Sequence, residues 1–145
     1  MTVGPVGDAI SIVADLPQPP ETVWQALTEP AHVAAWWGDY VELDARPGGR
    51  LLERWADDDG TEKITEGEVL AAVAPARLEM SWADRDWNDR TRVLIELEPA
   101  GEGTRLTLTH SGWDAFEPDR RRRLIEALEA GWERHLENLR AHLSG

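Results

Sequence analysis

Residues 118–143, PDRRRRLIEALEAGWERHLENLRAHL, place Leu124, Ile125, Leu128, Trp132, Leu136, Leu139 and Leu143 at three- and four-residue spacing. That period predicts one long amphipathic helix, whose apolar stripe has to be covered by another layer. Gly131 interrupts it at a cost of about 1 kcal/mol relative to Ala and has no capping role in mid-helix. Two reasons for it are open: close approach of the helix to its partner, or volume for a ligand beneath Trp132. The basic run Arg120 to Arg123 is flanked by Glu117, Asp119, Glu126 and Glu129 and reads as a solvated helix start.

The stretch immediately upstream supplies the covering layer. Residues 77–82 alternate Leu78, Met80 and Trp82, residues 91–98 alternate Val93, Ile95 and Leu97, and residues 104–110 alternate Leu106, Leu108 and His110. Period two predicts three half-buried strands, with Glu79, Glu96, Thr107 and Thr109 on the wet face. Three more strands are expected at 40–44, 50–56 and 63–73, separated by Pro47-Gly48-Gly49 and by the turn Asp57-Asp58-Asp59-Gly60.

At the amino-terminal end, residues 9–16, AISIVADL, alternate as a first strand. Two short helices follow it: one opened by Pro20 and Glu21 with Val23, Trp24 and Leu27 on one face, the other carrying Val33, Trp36 and Trp37 up to Gly38. The expected order is strand, two short helices, six antiparallel strands and a long helix, with no linker or repeat in residues 1–145, which makes one α+β domain.

Composition narrows the function classes. A chain of 145 residues can bury roughly 70% of its unfolded surface. It contains no cysteine, which removes disulfides, thiolate metal sites and cysteine nucleophiles and suits the cytoplasm. No apolar run reaches the roughly 20 residues of a membrane span, and no signal peptide is expected at the amino terminus. Lys plus Arg total 15 against 28 Asp plus Glu, a formal net charge of −13, so neither nucleic acid nor an anionic membrane is an expected partner. Eight Trp against one Phe and one Tyr is an unusual aromatic stock, because each buried indole N–H wants an acceptor.

The segments PPETVWQALTEPAHVAAWW, RPGGRL, DDDG, GEVLAAVAPARLEMSW and GTRLTLTHSGW, in this order, resemble the START-like, polyketide-cyclase-related superfamily. The nearest branch is the one named for the activator of the ninety-kilodalton heat-shock ATPase, and the resemblance runs from about residue 9 to the carboxyl terminus. It implies a helix-grip fold: a seven-stranded curved antiparallel sheet around the long C-terminal helix, capped by the two short helices, with a cavity between. Gly38, Gly48, Gly49 and Gly67 match the family's turns and bends. Leu51 stands where the family commonly has an aromatic, which arrives here only at Trp55. No counterpart of the eukaryotic co-chaperone's separate N-terminal domain is expected in residues 1–145, so chaperone activation is not implied.

With the sheet's apolar face toward the helix, Met80, Trp82, Leu108 and His110 are expected inward with Trp132, and Trp36 and Trp37 near the mouth. The expected ligand-binding set is therefore Trp36, Trp37, Trp55, Met80, Trp82, His110, Trp113 and Trp132; core filling is the competing reading for the same stripe. His110 is the only histidine on an inward strand position and is expected as a core residue or ligand contact rather than a catalytic base. Ser111 alternates to the other face, and no nucleophile elbow exists. Glu53 and Glu68 stand on strands of unfixed parity and are read as solvated outer-face residues, as His135 and His142 are read as helix-edge residues. The DDDG turn is a hairpin turn rather than a calcium loop, and the two helix histidines lie too far apart for one zinc ion.

The leading expectation is noncatalytic binding of a small, largely apolar molecule by a monomer or homodimer, with no catalytic residue, metal or cofactor. A ligand of about 20 heavy atoms at roughly 0.3 kcal/mol each would bind at tens of micromolar. Two alternatives compete: a cyclase-like enzyme using His110, with Glu53 or Arg54 assisting, and an interaction module presenting an exposed Trp87 with the acidic loop 84–89.

Overall fold

A computed structural model describes the backbone of residues 2–6 and both backbone and side chains of residues 9–144. The strands form one antiparallel sheet, in the order β1-β2-β8-β7-β6-β5-β4-β3. In chain order the elements are β1 (Thr2–Val6), β2 (Ala9–Leu16), α1 (Pro20–Thr28), α2 (Pro30–Trp36), β3 (Val41–Leu43), β4 (Arg50–Ala56), β5 (Glu62–Val73), β6 (Arg77–Asp84), β7 (Thr91–Ala100), β8 (Gly103–Ser111) and α3 (Pro118–Ser144). A short 3-10 turn, Trp113–Ala115, leads into α3. All seven expected strands are present; β1 adds an eighth along the edge of β2.

Each short helix begins at a proline, whose fixed φ and missing N–H suit the first turn. The chain leaves α2 at Gly38, in a conformation that a side chain rarely adopts (φ 149°). On the sheet, the alternation Ile10, Ile12, Ala14, Leu16 is buried throughout, as are Leu78, Met80, Trp82 and Val93, Ile95, Leu97 on β6 and β7. Their shared face packs against Trp132, Leu136, Leu139 and Leu143 of α3, forming one core.

Gly67 marks where the sheet can bend. A Cβ there would run into the Ser81 carbonyl oxygen of β6, so only glycine lets β5 and β6 come this close. Beyond it a register shift between Val69 and Ala71 disturbs the β5–β6 ladder, the usual mark of a bulge that bends a strand. Among the described residues, no helix is long and apolar enough to cross a membrane.

Candidate functional site

Between the β4–β6 end of the sheet and the middle of α3 lies a cavity of about 730 Å³. The helix contributes Leu124, Leu128, Gly131, Trp132 and His135, spaced so that one face meets the cavity for three turns. From the sheet come Glu53 and Trp55 on β4, Thr65 on β5, and Trp82 and Asp84 on β6; Tyr40 stands at the rim. Glu53 is opposed by Thr65, and Thr65 by Asp84, so the three side chains form one row across adjacent strands on the same face.

Of the expected ligand-binding set, the fold brings Trp55, Trp82 and Trp132 to the cavity wall. Trp37 stands immediately behind, its ring parallel to Trp82 at 6.2 Å between centroids. The other four are corrections. Trp36 is committed to the helical cap, donating its N–H to the Ala26 carbonyl at 2.7 Å. Met80 is fully buried core. Trp113 is equally buried, donates to the His110 carbonyl, and packs on Trp87 and Phe116.

His110 is the fourth correction. Its Nδ1 accepts the indole N–H of Trp132 at 3.1 Å, and an indole can only donate. The proton therefore sits on Nε2, which is 2.7 Å from the Thr91 hydroxyl, and that hydroxyl donates onward to the Trp82 carbonyl. Burial pushes the imidazole down to about 3, so it stays neutral. Both ring nitrogens are occupied, and the ring has no exposed surface.

Two residues read as outer or edge positions are instead inward. Burial pushes the Glu53 carboxyl up to about 7; Asp84 adds to the rise, and Arg134 opposes it. The Trp37 N–H also opposes the rise, by facing Glu53, although it makes no hydrogen bond of acceptable geometry. His135 lies between Trp37 and Trp132, at 5.7 and 5.8 Å, and burial pushes it down to about 4. Parity hid Glu53, because Leu51 and Leu52 on β4 are both apolar and both buried. Spacing contained the signal for His135, which follows Leu124, Leu128 and Gly131 along one helix face.

The cavity is chemically mixed. Trp55 donates to the Thr65 hydroxyl, which donates to Asp84 at 2.7 Å. Asp84 is raised from the ordinary carboxylate range, chiefly by burial. Three buried polar atoms around the space have no partner in the protein: the N–H groups of Trp37 and Trp82 and Nδ1 of His135. Buried polar groups are usually paired, which sets these three atoms beside the cavity apart. Among the described residues, no three His, Asp or Glu are placed to share a metal ion, and in the DDDG turn Asp57 accepts from the N–H groups of Asp59 and Thr61.

Residues 17–144 match the family described as Activator of Hsp90 ATPase homolog 1-like protein. The chain belongs to that family. The helix-grip fold that the sequence segments implied is the fold of the family's START-like superfamily, with the long helix gripped by the sheet. The protein is similar to MLL2253 of Mesorhizobium loti, at 28% identity over 94% of this chain and 96% of that one, with a TM-score of 0.77. Ms6760 of Mycobacterium smegmatis shares the fold at 21% identity, covering 99% and 97% of the two chains with a TM-score of 0.81. DynU16, from the dynemicin biosynthetic locus, shares it at 23% identity; the match covers 96% of this chain but 48% of that longer one, with a TM-score of 0.78. Among curated proteins, none matches the chain significantly. A helix-grip fold of this family suits a ligand-binding domain.

Proposed function

We propose that this protein binds a small molecule with a largely apolar body in the cavity between the sheet and α3, and that it does so without catalysing a reaction. One observation carries the reading: a space of about 730 Å³ between the sheet and α3, walled by Trp55, Trp82 and Trp132. That volume falls within the range of small-molecule pockets, and aromatic walls with a few placed polar groups, here Glu53, Thr65 and Asp84, are what such pockets use for affinity and orientation. The cyclase-like alternative loses its central residue, because both nitrogens of His110 are engaged in the core. The exposed-Trp87 alternative loses its anchor, because Trp87 packs edge-on against Trp113 and Phe116.

Titration of intrinsic tryptophan fluorescence with a panel of apolar and aromatic metabolites tests the reading, in the wild type and in Trp82→Phe and Trp132→Phe variants confirmed to be folded. A saturable change, weakened in Trp82→Phe, supports it. A panel that leaves the fluorescence unchanged at millimolar concentration rejects it.

A further inference from the structure

The row Glu53, Thr65, Asp84 places two carboxyl groups on the inner face of the sheet beneath an aromatic roof. Buried carboxylates are normally compensated by a paired cation. Here, among the described residues, neither Glu53 nor Asp84 forms an ion pair; Lys63, the nearest basic neighbour on β5, is bound to Asp86. Four carboxyl side chains line the cavity, Glu53, Asp57, Asp58 and Asp84, against the guanidinium groups of Arg54 and Arg134, which are both exposed. Glu53 lines this space although the residue is only 7% exposed, so its carboxyl is held where an occupant of the cavity, rather than bulk water, would meet it.

We propose, resting on the cavity reading above, that the ligand is a small organic cation, a protonated amine on an aromatic-sized body, with its ammonium group held by Glu53 and Asp84. The ammonium supplies the charge these carboxylates lack, and the faces of Trp55, Trp82 and Trp132 attract a cation through their ring quadrupoles while covering its apolar body. Anionic ligands are disfavoured by the same carboxylates and by the net charge of −13. Glu53 is faced by Asp84 from β6, Thr65 from β5, Trp37 from the end of α2, Tyr40 from the following loop, and Arg134 and His135 from α3. Burial first and Asp84 second favour its protonated form, and the Trp37 N–H and Arg134 oppose them. An ammonium ion between the carboxyls favours the ionised form, so binding near neutrality releases a proton.

Calorimetric titration with tryptamine, tryptophol and indoleacetate, which share one ring system and differ in charge, tests this. At pH 8 tryptamine is expected to bind at least tenfold tighter than tryptophol, with indoleacetate weakest. Between pH 6 and pH 8 the tryptamine affinity should rise roughly tenfold as Glu53 ionises, while that of tryptophol stays level. Glu53→Gln and, independently, Asp84→Asn should remove most of the preference; the pH series uses the wild type alone and needs neither variant to fold. Tryptophol or indoleacetate binding as tightly as tryptamine overturns the cation while leaving the cavity reading in place. Failure of tryptamine to bind, when an apolar compound of the fluorescence panel does, overturns it equally. Silence of all three probes and of the whole panel rejects the cavity reading itself.

Discussion

Trp132, in the middle of α3, donates its indole N–H to Nδ1 of His110 on β8 at 3.1 Å. This bond ties the gripped helix to the sheet, and it continues through the Thr91 hydroxyl to the Trp82 carbonyl on β6. One buried polar chain thus links helix and sheet at the base of the cavity. Each member needs its neighbour, because an unpaired buried polar group costs about 1–3 kcal/mol.

Replacing His110 should therefore act on stability. His110→Ala opens a cavity and strands the Trp132 N–H, so a loss of about 3–5 kcal/mol in urea-induced unfolding is expected. Ligand affinity per folded molecule should change less than threefold. A stable His110→Ala that cannot bind ligand would restore the histidine as a ligand contact.

Acid should unfold the protein through its buried histidines. His110 and His135 are held at about 3 and about 4, against 6.5 when exposed. Below 6.5 the unfolded chain takes up the protons that the native state refuses, so stability falls as pH drops toward 4. Glu53, held at about 7, works the other way: between 4.5 and 7 it is the native state that binds the extra proton. His135→Gln should flatten the acid loss and Glu53→Gln should steepen it, as read from urea midpoints at pH 7, 6 and 5.

At pH 8 the same Glu53 is a burden, since an ionised carboxylate is kept largely out of water. Glu53→Gln should raise stability there by about 2–3 kcal/mol. If the variant is less stable than the wild type at pH 8, the carboxylate is better solvated than its burial indicates.

Gly131 lines the cavity, and a Cβ placed on it meets nothing within 4 Å. Of its two possible reasons, the open volume is the one the fold supports. Gly131→Ala should raise the melting temperature, with a gain of about 0.5–1 kcal/mol from helix propensity. Gly131→Leu should keep the fold and weaken ligand binding at least tenfold by filling the space. Unchanged binding in Gly131→Leu would place the ligand elsewhere.

Trp87 gives a contrasting case. It is partly buried against Trp113 and Phe116, with ring centroids at 5.6 and 5.2 Å. Trp87→Ala should cost about 2 kcal/mol of stability, measurable by chemical denaturation. A variant as stable as the wild type would return Trp87 to the surface.

Alternation read four of the seven strands, turn residues bounded the other three, and helical period with proline and glycine stops read the helices in residues 9–143, because half-buried strands and amphipathic helices write their solvent contrast into residue order. Trp82 and Trp132 at the cavity were legible for the same reason, whereas Trp55 was named through the family resemblance, the parity of its strand being unfixed. Inward parity, however, does not distinguish a cavity wall from packed core: Met80 and Trp82 share one face of β6, yet only Trp82 meets the space. Which of the two occurs depends on what α3 sets opposite each position, and that is decided by packing between segments distant in the chain. The tertiary structure alone therefore placed His110 in a closed hydrogen-bond chain and brought Glu53 and Asp84 into one row, since strand register and helix placement, not sequence neighbours, determine which polar groups meet.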